Sequence, residues 1–91
     1  MIEFEKEYKD FIVKNGVGEN DKVASSVKSY ISYLNSIAKY LDITIEPNKL
    51  CTENDIEIIS LQLDGKVAGK TIQNYKSAMK QYIKMVDELK I

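Results

Sequence analysis

The groups in this chain that could do chemistry are carboxylates, lysines and one cysteine; histidine and arginine are absent. Without histidine there is no imidazole to serve as a base near neutral pH, and no histidine cluster for a zinc-type metal. Cys51 stands alone. It lacks the histidine that a cysteine nucleophile generally uses and has no second cysteine to pair with. It reads as a small, semi-buried residue of a reducing compartment. Glu53, Asp55 and Glu57 follow one another at every second position. On a helix those three carboxylates do not converge, and the glycine-turned, aspartate-rich loop of a calcium hand is missing. They read as a solvated acidic first turn. Gly65 and Gly69 do not make a glycine-rich phosphate loop. No catalytic residue, metal ligand or cofactor is expected, and the chain reads as a non-enzyme.

Lysine remains, and its placement is uneven. The net charge is −1, which argues against strong unassisted binding to nucleic acid. Residues 1–64 hold seven Lys against twelve Asp or Glu, a balance of −5, while residues 65–91 hold six Lys against two acids, a balance of +4. The basic part coincides with a long helical pattern from Lys70 onward. Ile72, Tyr75, Met79, Tyr82, Ile83 and Val86 form its apolar stripe, and no carboxylate appears until Asp87. At about 100° per residue, Lys70, Gln73, Ser77, Lys80, Gln81 and Lys84 fall opposite that stripe. Ammonium groups contact phosphates, and Ser, Asn and Gln hydrogen-bond to phosphates or base edges.

These side chains need elements to position them. Ninety-one residues make one domain, 1–91, that buries only roughly 60% of its unfolded surface. One proline and four glycines favour long helices over many short strands. No apolar run approaches the ~20 residues that span a bilayer, and the acidic N-terminus does not resemble a signal peptide. Four helices are predicted, at about 2–14, 22–41, 53–63 and 70–89. Phe4, Tyr8, Phe11 and Ile12 form the stripe of the first, which stops at Asn15-Gly16. Gly16 to Asp21 reads as a loop, and Asn20, Asp21 and Ser25 are all available to cap the second helix. That helix buries Val27, Tyr30, Ile31, Leu34, Ile37, Ala38 and Leu41, and carries Ser25, Lys28, Ser29, Ser32, Ser36 and Lys39 on its other face. Ile43 and Ile45 pin a connector that Pro47 keeps from being helical. Thr52 and Asp55 resemble a capping box for the third helix, with Ile56, Ile59 and Leu63 on its apolar side and Ile58 and Leu61 widening it.

The second and fourth helices look like copies. A shift of 45 positions sets Ser26 on Thr71, Val27 on Ile72, Tyr30 on Tyr75, Leu34 on Met79 and Leu41 on Val86. No acid lies between Lys22 and Leu41 either. The two are expected to lie side by side and present a single lysine-bearing, carboxylate-poor surface.

Three stretches carry a family resemblance: Ser26-Val27-Lys28-Ser29-Tyr30-Ile31-Ser32-Tyr33-Leu34, the helix start Thr52-Glu53-Asn54-Asp55-Ile56, and Lys70-Thr71-Ile72-Gln73-Asn74-Tyr75-Lys76-Ser77-Ala78-Met79. Together they resemble the N-terminal, SAM-like core-binding domain of tyrosine recombinases, the phage-integrase family (a fold label, not the methyl donor). The resemblance covers roughly Val23 to Val86. It implies an all-α, compact four-helix SAM-like bundle that clamps one side of double-stranded DNA with its second and fourth helices. The DNA contacts it implies are Lys28, Ser29 and Ser32, with Lys70, Thr71, Asn74, Ser77 and Lys80; Lys84 joins them from the helical spacing above. Similar domains precede nuclease domains in restriction-type proteins. The family's catalytic half uses arginines, a histidine and a tyrosine nucleophile, and this chain has no Arg or His. The six tyrosines therefore do not point to recombinase chemistry. The expected function is non-catalytic: weak, salt-sensitive binding of duplex DNA that positions a separate catalytic domain, with one in the same longer protein as the candidate partner. No metal and no membrane is expected. Lysine without arginine hints at an AT-rich coding sequence, so the expected setting is a bacterial or phage-infected cytoplasm. The alternative is a protein–protein interaction module of a phage, mobile-element or restriction-type protein, docking through the acidic first helix or through exposed Tyr33 and Tyr40.

Overall fold

The computed structural model describes residues 2–15 and 24–90. It is an all-α bundle of four helices: α1 (Glu5–Asn15), α2 (Ala24–Leu41), α3 (Glu53–Leu63) and α4 (Gly69–Leu89). The loop expected at residues 16–21, with Asn20 and Asp21 as caps, lies outside the described residues, as does the side chain of Val27. Among the described residues no helix is long and apolar enough to cross a membrane.

α4 is the central element, packing against each of the other three helices. It buries Tyr75, Ala78, Met79, Tyr82, Met85 and Val86, an i, i+3, i+4, i+7 series that runs along one side of a helix. Tyr8 of α1, Leu34 and Ile37 of α2 and Leu63 of α3 are fully buried against it in one core. Two phenols tie that core together. The Tyr8 hydroxyl donates to the Ala78 carbonyl at 2.9 Å. The Tyr82 hydroxyl donates to the Glu3 carbonyl at 2.8 Å and reaches the Ile45 carbonyl at 3.4 Å. The two rings lie 5.7 Å apart at a 45° tilt, within the range that stabilises aromatic pairs.

α1 begins three residues later than the periodicity predicts. Residues 2–4 are held by the connector after α2 instead: Ile2 and Ile45 form an isolated parallel bridge, and the Glu3 N–H donates to the Ile45 carbonyl at 2.8 Å. Phe4 turns the chain into α1 with φ of 59° and is partly exposed, so it does not join the buried stripe. The extended partner of Ile45 is thus the N-terminus itself. Ile58 and Leu61, expected to widen the apolar side of α3, point to solvent at 46% and 73% exposure. Ile56, Ile59 and Leu63 already fill the side of α3 that meets α4.

The capping box of α3 forms as the sequence suggests. The Asp55 N–H donates to the Thr52 hydroxyl at 3.3 Å, and the Thr52 N–H donates back to the Asp55 carboxylate at 3.1 Å. α3 ends at Leu63 with Asp64 as its cap, and the chain then turns at Gly65, whose φ of 87° suits a residue without Cβ. A short turn, closed by an Asp64–Val67 bridge, then delivers the chain to Gly69 and α4.

Candidate functional site

α2 starts at Ala24 and α4 at Gly69, so the helix boundaries obey the same 45-residue shift as the sequence. Leu34 and its counterpart Met79 are both fully buried, as are Ile37 and Tyr82. Neither helix has an acid in its first turn, whereas α1 has Glu5 and Glu7 and α3 has Glu53 and Asp55. The positive ends of α2 and α4 therefore stay uncompensated by carboxylates of their own first turns. α4 also has no side-chain cap, because Ala68 occupies that position.

On α4, Lys70, Asn74, Ser77, Lys80 and Lys84 are all exposed. Lys84 stands diametrically opposite Tyr75 at about 100° per residue, with Lys80 and Ser77 within about 40° of it. Lys70, Lys80 and Lys84 have no carboxylate within ion-pair distance among the described residues. Lys76, on the flank of the same helix, does: its ammonium lies 3.6 Å from Glu57 of α3. Ser77 is partly committed, since its hydroxyl donates to the Gln73 carbonyl at 3.2 Å. Thr71 is half-buried and lies about 40° from Tyr75, on the inner side of the helix, so it does not share the lysine face.

On α2, Lys28 and Ser32 are exposed and Ser29 is half-buried. Asn35 and Lys39 continue the exposed line of Lys28 and Ser32. That line ends at a shallow cavity of about 420 Å³ lined by Asn35, Lys39, Asp42, Thr44 and Lys49 among others. Lys49 is a cation that sequence spacing did not pick out, because it sits in a turn and reaches Lys39 only through the fold.

The lysines of the two helices are placed relative to one seam. Tyr33 of α2 meets Tyr75 of α4 with ring centroids 5.6 Å apart, and Tyr30 stacks on Tyr33 at 5.9 Å. Tyr33 is consequently half-buried rather than free to dock a partner; Tyr40 is half exposed. Lys84 points directly away from Tyr75, and Lys28 lies about 140° around α2 from Tyr33. Both faces thus turn outward from the seam where the helices meet.

Cys51 and Asp55 engage each other. Cys51 is exposed rather than semi-buried. Its backbone N–H and its thiol both donate to the Asp55 carboxylate, at 3.0 and 3.5 Å. Desolvation and that carboxylate push the thiol pKa up, away from the reactive thiolate. The same contacts, led by the Cys51 N–H, hold the Asp55 carboxyl below its usual range. Among the described residues no group of three or more acidic, cysteine or histidine side chains is placed to hold a metal ion.

Compared with protein-family models, with curated proteins and with solved structures, the chain matches none.

Proposed function

We propose that this chain is a non-catalytic module that binds double-stranded DNA weakly, chiefly through the outer face of α4, and so positions a separate catalytic domain. The observation that carries this is the exposed row of Lys70, Lys80 and Lys84, free of carboxylate partners among the described residues. It lies within a stretch, residues 65–86, that has five lysines and no acid. Cations held apart from carboxylates keep their full attraction for phosphate, and each one that displaces a condensed counterion adds to affinity. Asn74 and Gln73 lie beside the lysines and offer donors and acceptors for a groove edge. Lys28, Ser32 and Lys39 form a second contact on a different flank, one that a bent or wrapped duplex would engage. The all-α bundle suits the core-binding domain of the phage-integrase family that the sequence resembles, and a bacterial or phage-infected cytoplasm is the proposed setting.

Fluorescence anisotropy with a labelled duplex tests this. Binding should be measurable at low salt and weaken steeply as salt rises, by about one decade in affinity per decade of salt for each phosphate neutralised. No binding at low ionic strength would remove the proposal.

A second function has its own observation. Ile58 and Leu61 stand one helical turn apart on α3 and are exposed at 46% and 73%. Adjacent aliphatic side chains in water favour a protein-interaction module. Light scattering separates the two: concentration-dependent association without a DNA response supports the second function.

A further inference from the structure

Between α1 and the last turn of α4 lies an open groove of about 250 Å³. Its apolar floor is Phe11 and Leu89, and its rim is Glu7, Asp10, Glu88 and Lys14. Leu89 remains 45% exposed. We propose that this groove is a docking site for a basic amphipathic helix of a partner protein. The occupant's apolar side chain would rest on Phe11 and Leu89 while its lysines or arginines meet the three carboxylates.

Charge complementarity selects that occupant. Among the described residues, three carboxylates surround the floor against a single ammonium. Asp87 and Glu88 moreover sit at the C-terminal end of α4, where the helix dipole is already negative and where cations, not acids, are stabilising. The last turn of α4 contains no basic residue, and Lys90 follows only at the cap. A cationic partner would relieve that stacking of negative charge; an acidic peptide or a phosphate would add to it. An apolar floor ringed by charge of one sign fits an amphipathic helix laid into a groove. The site does not involve the lysine faces of α2 and α4, so it stands whether or not the chain binds DNA.

The test uses the whole chain labelled with ¹⁵N and two synthetic amphipathic peptides, one of leucine and lysine, the other of leucine and glutamate. The lysine peptide should bind and shift amide resonances of α1 from Glu7 to Lys14 and of α4 around Glu88 and Leu89. The glutamate peptide should not. The double variant Glu7→Lys with Glu88→Lys should weaken the lysine peptide by about tenfold, the scale of several surface charge contacts reversed together. If that variant unfolds, the wild-type titration repeated at high salt serves instead, since rim attraction is screened. Equal binding of the two peptides, shifts centred on Ile58 and Leu61, or no shift with the lysine peptide would each overturn the proposal.

Discussion

Tyr82 shows how much a single hydroxyl can organise. It donates to the Glu3 carbonyl and reaches that of Ile45, and so joins the N-terminal segment, the α2–α3 connector and the core helix. Tyr82→Phe keeps the packing but strands the Glu3 carbonyl, and should cost about 1–2 kcal/mol in a denaturant melt. Tyr8→Phe should cost less, because the Ala78 carbonyl it abandons sits inside α4, where the helix supplies its own donor. Burial raises both phenol pKa values; repulsion from Tyr30 adds to this at Tyr8, and the charges of Glu3 and Glu46 add to it at Tyr82. A phenol held protonated by folding binds its proton more tightly folded than unfolded. Its contribution is therefore complete below about pH 10 and lost as the pH rises above that value. Thermal melts between neutral pH and strong alkali should show this decline, and Tyr82→Phe should blunt it. Ser60 is the opposite case: its hydroxyl is buried within α3 without a hydrogen-bond partner among the described residues. Ser60→Ala should raise stability by about 1 kcal/mol, since it removes an unsatisfied polar group and improves helix propensity. A lower melting temperature for that variant would mean the hydroxyl has a partner in solution.

Among the elements, α3 was the most legible in the sequence and α1 the least, for physical reasons. The Thr52–Asp55 box is local chemistry, four residues long, and it sets the start of α3 where the residue types placed it. Its Asp55 carboxyl titrates below the usual carboxylate range, chiefly through the Cys51 N–H. A depressed carboxyl contributes stability that is present above the unfolded value near pH 4 and is lost as the pH falls through the folded value. An acid titration should therefore lose a stabilising contribution that Asp55→Asn lacks, and Thr52→Ala should cost about 1 kcal/mol at neutral pH. Equal acid sensitivity in wild type and Asp55→Asn would disconnect the box from the acid limb. The start of α1 was illegible because long-range contacts decide it: the Ile2–Ile45 bridge and the positive φ of Phe4 leave no periodic trace. Ile58 and Leu61 misled for a related reason. Helical spacing shows that α3 has apolar residues on two sides, but only the position of α4 decides which side is covered.

For the molecule as a whole, exposure of the candidate lysines was readable from helical spacing, and their mutual placement was not. Lys70, Lys80 and Lys84 had to lie opposite a stripe of Tyr75, Met79, Tyr82 and Val86, and they do. Whether Lys28 shares their surface depends on which sides of α2 and α4 meet, at the Tyr33–Tyr75 contact, and spacing within one helix carries no trace of that. The result is a bundle with one lysine face on α4, a second along α2 toward Lys49, and an acidic, apolar-floored groove between α1 and α4. Charge reversal separates the faces. Lys80→Glu with Lys84→Glu should abolish duplex binding, because both substitutions lie in the row of Lys70, Lys80 and Lys84, which has no carboxylate partner among the described residues. The melting temperature should change little, since exposed charges contribute little to stability. Lys28→Glu with Lys39→Glu changes net charge by the same amount but acts on the other flank. If α4 is the primary contact, this second variant should retain most of the affinity and lower the salt slope less than the first. Equal losses in the two variants would mean that binding follows net charge alone, and would dissolve the assignment to α4. Loss only in the α2 variant would move the interface to the face that ends at Lys39 and Lys49.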